Sequence, residues 1–390
     1  MIKKIMNRWS VAEHDLKLFL LGVLFLGINN GILTTSFNNY LNDIFHLTAS
    51  QRGVLEIPRE IPGFLLVLIT GILASYSMRN WAIAVGLLSA IGVIGLGWFS
   101  SSYMVMMIWM VLWSLADHLF MPIENTMGLQ LAKDGKHGKR LGQLSGARNF
   151  AMISGALIVW IFARFADDSF LYKKLYIIGG LAAIVAAFFF SKLHLHAHTQ
   201  IKHKRFVIKT RYTLFYIFNI LFGARKQIFL TFAPWVLITQ YGARPSDMAL
   251  LIFIASALGV IFRQVFGYVT DRFGEKVMFI ADSIILFGIC IGFAYVKNIV
   301  FLSALYILDN LMFSTRIART TYLNKIAENK SDVAATISLG ISMDHVVSMT
   351  IPFLGGLLWN AYGFSTVFIA ASLIAVISFI AAFFIRVPNQ

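Results

Sequence analysis

Residues Leu16–Tyr40 read LKLFLLGVLFLGINNGILTTSFNNY, a run with Lys17 as its one formal charge, and this run decides the fold. A helix crosses the apolar core of a bilayer with about 20 residues at roughly 1.5 Å rise each. Runs of similar character recur at Trp81–Phe99, Leu175–Ser191, Val277–Val296 and Phe364–Ile385. In lipid, every backbone N–H and C=O must be satisfied within its own segment, so these runs are helices. A closed β-barrel would instead show period-two alternation in strands of about ten residues, and none is visible. Approximate spans fall at 16–41, 50–76, 81–99, 103–131, 139–165, 173–191, 213–240, 246–270, 276–296, 299–326, 331–361 and 364–387. The expected fold class is an all-α integral membrane protein of twelve spans.

Composition agrees. Hydrophobic residues make up 58% and charged residues 13% of 390 positions, more apolar surface than a soluble domain of that length can hide. The single cysteine, Cys290, lies in an apolar run, which excludes disulfides and cysteine metal sites. Met1–Asp15 is basic and polar, and the run after it is too long for the core of a signal peptide. It is expected to serve as an uncleaved first span. The net charge of +15 would suit nucleic acid only if a soluble basic module carried it, and no segment is long enough to be one. With the N-terminus inside, Lys and Arg such as Lys3, Lys4, Arg8, Lys139, Arg140 and Lys202 crowd the inner loops. That is the positive-inside bias, with added attraction to anionic lipid. Multi-pass insertion in the cytoplasmic membrane follows, with both termini cytoplasmic.

One long hydrophilic stretch, residues 192–212, divides the chain into an N-terminal six-helix bundle, 1–191, and a C-terminal one, 213–390. The halves align. A shift of about 196 residues places Gly27 on Gly223 and Gly71 on Gly267, and one of about 192 places Asp117 on Asp309. Parallel six-helix repeats are a standard architecture of secondary transporters, with the substrate site near the midplane.

After the eighth span stands Gly267-Tyr268-Val269-Thr270-Asp271-Arg272-Phe273-Gly274-Glu275-Lys276. It resembles the G-x-x-x-D-R-x-G-x-[KR] signature of major facilitator superfamily (MFS) transporters. The length, the 6+6 layout and the basic central loop resemble that superfamily too. The resemblance implies two six-helix bundles around a central cavity, lined by the first, fourth, seventh and tenth helices, in a chain that works as a monomer. It also implies a gate in which Asp271 and Arg272, assisted by Gly267 and Gly274, latch the inner face. The first-half copy, Gly71 to Arg79, has Ser75 where the acid belongs and Met78 where the second glycine belongs, which speaks against a symmetric latch.

A charge at bilayer depth costs several kcal/mol unless it meets a partner or water, so each one marks a functional position by default. The helices expected to line the cavity carry Asn29-Asn30, Asp117-His118 with Glu124, Arg225-Lys226, and Asp309-Asn310 with Arg316. These residues, with Arg148 on the fifth helix, form the expected substrate site. Arg225 and Lys226 point about 100° apart, so one acid cannot neutralise both. Arg148 is expected to face Glu124 or the substrate. Glu56, Arg59 and Glu60 share one helical face, as an internal ion-pair cluster would. Arg316 and Arg319 near a helix end are equally accounted for by snorkelling. His194, His196 and His198 in a basic loop lack the geometry of a closed metal site, so no metal is expected.

No G-x-x-x-x-G-K-[ST] loop is present and no soluble domain could hold one, so a nucleotide cofactor is not expected and the chain is not read as an enzyme. Transport would draw on a gradient. Asp117, Glu124, Asp309, Asp344 and His345 are the proton-coupling candidates, because a low-dielectric setting favours the neutral acid. The same acids could serve only to neutralise Arg148, Arg225 and Lys226. Paired central cations favour an anionic or zwitterionic solute. A lipophilic efflux antiporter is the alternative. The drug-exporting branch of the superfamily carries a Gly-Pro motif in its fifth helix, whereas here Gly142 to Arg164 contains no proline. A receptor or scaffold without transport is the third reading.

Overall fold

The computed structural model describes residues 2–73, 77–132, 137–165, 170–194 and 208–386. Ser75 and most of the central basic stretch, including His196, His198 and Lys202, lie outside the described residues. The described residues form helices and their connections, with no β-strand. They are α1 (Ile2–Phe45), α2 (Ala49–Val54), α3 (Glu56–Leu73), α4 (Met78–Trp98), α5 (Tyr103–Gln130), α6 (His137–Phe165) and α7 (Leu171–Ser191). Then come α8 (Thr213–Thr239), α9 (Pro245–Tyr295), α10 (Ile299–Met312), α11 (Arg316–Ile326), α12 (Lys330–Tyr362) and α13 (Phe364–Phe383). Polar residues between the apolar runs start several of them. Ser77, Ser102 and Asn298 cap α4, α5 and α10, and Thr48 with Gln51 builds a full capping box at α2.

Among the described residues, nine helices are long and apolar enough to cross a membrane. At 51 residues, α9 is long enough for two crossings, and it breaks at Gly274, where φ is 82°. That left-handed conformation is natural for glycine and strained for other residues.

Two expected spans are interrupted. The second is split between α2 and α3, because Pro58 has no N–H to offer the Val54 carbonyl one turn back. The tenth is divided by a tighter 3₁₀ turn, Phe313–Thr315, in which the Thr315 hydroxyl donates to the Met312 carbonyl at 2.8 Å.

The helices fall into two units. The first holds α1 up to Tyr40, the end of α3 from Leu65, α4 to α7, and the start of α9 to Phe253. Its core gathers Phe19, Val23, Phe120, Ala183 and Phe190. Gly31 and Gly155 let α1 and α6 approach backbone to backbone, since a Cβ on either would meet main-chain atoms of the other segment. The second unit holds the end of α1 from Leu41, α2, α3 to Phe64, α8, the rest of α9 and α10 to α13. Its core is aromatic. Phe218 stacks on Phe279 at 4.1 Å and Phe293 on Phe368 at 4.8 Å. Within it, α2 lies directly on α12: a Cβ on Gly53 would run into the Pro352 carbonyl, and one on Gly356 into the backbone of Ala49 and Ser50.

Candidate functional site

In the first unit, adjacent asparagines of α1 go different ways. The Asn30 amide donates to Asp117 Oδ1 on α5 and accepts from Trp113 Nε1 at 3.3 Å. Asn29 is buried and donates to Ser89 on α4 at 2.8 Å, with Gly179 of α7 against it. Its polar group is thus taken up in helix packing, while that of Asn30 is shared between Asp117 and Trp113. His118 bonds within its own helix, Nδ1 lying 2.8 Å from the Ser114 carbonyl. Arg148 meets Glu124 at 2.9 Å, one of the two partners expected for it. The acid is buried and the guanidinium about half exposed.

In the second unit the two central cations find separate acids, as their angular separation requires. Arg225 is 2% exposed. Its Nη1 donates to Asp282 on α9 at 2.7 Å, and its Nη2 to Asp309 on α10 at 2.9 Å. Lys226 pairs with Asp344 on α12, whose Oδ1 lies against Gly223 where a side chain would collide. Asp309 is fully buried, and its Oδ2 has no hydrogen-bond partner among the described residues. The Asn310 amide turns back to donate to the Tyr306 carbonyl of its own helix.

The ion-pair cluster expected on the second span is real and larger than its spacing indicates. Glu56 is held by Arg52 at 2.6 Å and by Arg59, which also bridges Glu60 at 2.8 Å. Gln227 of α8 donates to Glu56 at 2.6 Å, and His345 of α12 lies 3.0 Å from Glu60. His345, expected to work beside Asp344, is thus engaged by a different carboxylate.

Three participants escape the sequence reading: Asp282, Arg52 and Gln227. Asp282 is the most visible of them, a lone acid within an otherwise apolar window, and such a charge marks a site by default.

The expected gate is arranged differently. Asp271 is exposed and has no partner among the described residues, and Arg272 turns back to the Tyr268 hydroxyl at 2.6 Å. A Cβ on Gly267 would meet nothing within 4 Å, so no close helix approach depends on it here. Glu275, by contrast, is fully buried and holds Lys325 of α11 at 2.9 Å. Lys325→Gln would leave that carboxylate without its cation. It is expected to cost about 1–3 kcal/mol, read as a lower thermal midpoint in detergent; an unchanged midpoint would show the pair to be idle. At the end of the basic stretch, Lys209 bridges Glu328 and Asp332, and the Tyr212 hydroxyl donates to Asp332. These hydrogen bonds, Lys209 first, hold the Asp332 carboxyl below the usual carboxylate range.

A cavity of about 20 Å³, room for roughly one water, lies among Phe222, Arg225, Asp282, Thr315 and Arg319. Polar groups of α8, α9, α11, α13 and the Phe313–Thr315 turn converge on it.

The sequence matches the Major Facilitator Superfamily over residues 19–327 and 214–390. The chain belongs to that superfamily. Solved structures agree on the MFS fold. The nucleoside transporter NupG, in a point-mutant form, superposes with a TM-score of 0.80 at 16% identity, covering 95% of this chain and 99% of that one. A D-xylose-proton symporter superposes with a TM-score of 0.72 at 17% identity, covering 97% and 98%. Among characterised proteins, the multi-drug resistance efflux pump PmrA of Streptococcus pneumoniae is 27% identical over 158 residues. That stretch is 39% of this chain and 38% of the pump's length. MFS membership and the apolar helices make this a multi-pass membrane protein.

Proposed function

We propose that the chain is a secondary transporter of the cytoplasmic membrane, with both termini inside and with halves 1–191 and 213–390 joined by 192–212. It moves a small anionic or zwitterionic solute by alternating access, coupled to protons. The observation that carries the coupling is the stoichiometry around Arg225: one guanidinium holds two carboxylates, Asp282 and Asp309. With both ionised the triad has a net negative charge in a buried setting, which one proton relieves. Asp309 is the proton's place, because its Oδ2 is enclosed and unpartnered among the described residues. Tyr306 and Cys290 also lie near this acid, and Asp282 shares its cation. Protonation weakens the hold on Arg225, and a pair that loosens with each proton is what a coupled cycle needs.

The test is uptake into proteoliposomes of a panel of carboxylate and phosphate-ester metabolites, with and without an inward proton gradient. Asp309→Asn is expected to abolish acceleration by the gradient while solute exchange at equal pH continues. Gradient-driven uptake at the parent rate in that variant would remove Asp309 from the coupling.

Lipophilic efflux is the second reading, and the local likeness to PmrA favours it. It predicts uptake of lipophilic cations into inverted vesicles and indifference to the anionic panel.

A further inference from the structure

The second unit carries acids and cations in its helical interior whose pairing can be followed residue by residue. Arg225 is held by Asp282 and Asp309, Lys226 by Asp344, and Arg59 by Glu56 and Glu60, with Glu56 also holding Arg52. Arg319 of α11 is outside every such pair: no carboxylate lies within ion-pair distance of it among the described residues. Its Nη1 donates to a neutral acceptor, Asn219 Oδ1 of α8, at 2.7 Å. Its Nε is enclosed and has no hydrogen-bond partner among the described residues. The guanidinium lies over Phe222, 3.7 Å from the ring centroid, and lines the small cavity beside Arg225.

Nor does Arg319 stand alone. Arg316, one turn earlier on the same face, is exposed, has no ion-pair partner among the described residues and repels Arg319, which Asp344 and Asp282 attract from beyond ion-pair distance. Arg263 of α9 in turn repels Arg316. Snorkelling accounts for Arg316 but not for Arg319, whose Nε does not reach solvent. A guanidinium held by an aromatic face and a neutral amide, with an enclosed Nε and no carboxylate in bonding contact among the described residues, has donors to offer an anion. The fork of a guanidinium matches carboxylate and phosphate oxygens in pairs, which an ammonium does not.

We propose that Arg319, oriented by Asn219 and Phe222 and supported by Arg316, binds the oxyanion group of the transported solute, while Arg225 is an internal counter-ion that no solute touches. The proposal rests on the transporter reading above and changes which arginine meets the substrate. Once a proton has neutralised the surplus negative charge of the Arg225 triad, an anion balances Arg319 without disturbing Asp282, Asp309 or Asp344.

The experiment measures thermal stabilisation of the purified full-length protein by matched probes at millimolar concentration. Glucose 6-phosphate is set against glucose, lactate against propane-1,2-diol, and inorganic phosphate serves as the bare anion. An anionic probe is expected to raise the midpoint where its neutral counterpart does not, and the pair that responds separates phosphate esters from carboxylates. Arg319→Gln should weaken that response about tenfold to a hundredfold, and Arg319→Lys less. If Arg319→Gln fails to fold, Asn219→Asp decides. It gives Arg319 an internal carboxylate, so the protein should become more stable and lose its response to the anion. The proposal is overturned if no anionic probe shifts the midpoint, if neutral counterparts act equally, or if Asn219→Asp responds as the parent does. Transport of a neutral solute, unaffected by Arg319→Gln, would sink the subsite and leave the transporter. Anion binding without transport of any probe would do the reverse.

Discussion

Replacing Arg225 with glutamine is expected to lower the stability of the protein by about 3–5 kcal/mol, the cost typical of breaking a buried ion pair. The expectation follows from geometry. Asp309 is fully buried and takes both Nε and Nη2 of the same guanidinium, at 3.3 and 2.9 Å. Asp282 takes the remaining arm, so glutamine would leave two carboxylates without a cation. Neutralising one acid as well should recover part of the loss, making Arg225→Gln with Asp309→Asn more stable than Arg225→Gln alone. Unfolding of the purified protein in detergent, followed across the two single variants and the double, measures this coupling directly. Should Arg225→Gln unfold at the same midpoint as the parent, the triad is not the structural keystone of its unit.

The second large effect is steric. At Gly53 the backbones of α2 and α12 meet with no space for a side chain, because a Cβ there falls on the Pro352 carbonyl. Main chain cannot yield as the tip of a flexible side chain can. Gly53→Val should therefore push the helices apart, with a stability loss at or above the usual ~1–3 kcal/mol of overpacking. The native cysteine, Cys290, is buried, so a reporter Ser50→Cys can be read against a quiet background. Ser50 faces Gly356 across the same seam. Its alkylation should be slow in the parent and fast beside Gly53→Val; equal rates with an unchanged thermal midpoint would refute the seam.

The sequence made the fold legible because lipid removes alternatives: long apolar runs have no other way to satisfy their backbones. It made part of the site legible for the same reason. Arg225, Lys226, Asp309, Asp344, Glu124 and Arg148 stand out as charges at depth, and the structure pairs each of them within its own unit. Partner choice was less legible. Helical spacing says that Asn29 and Asn30 point in different directions, but not that Ser89 waits for one and Asp117 for the other. Asp282 is visible as a lone acid in an apolar run, but nothing in that run says that Arg225 faces it, and Gln227 carries no charge to attract attention. The gate motif drew the eye to Asp271, whereas the buried pair is made by Glu275 with Lys325, far away in sequence. Such pairings depend on which helix faces which, and the period of a single helix is silent about that.

The tighter turn at Phe313–Thr315 separates Asp309 from Arg316 and Arg319 on what would otherwise be one continuous rod. A 3₁₀ turn advances about 2.0 Å and 120° per residue, an α-helix about 1.5 Å and 100°. Rewinding those three residues into α-helix would draw the two ends together by about 1.5 Å and rotate one against the other by about 60°. The segment is thus a screw thread. Any change that rewinds it re-aims the arginines relative to the acid, with no helix having to leave its place.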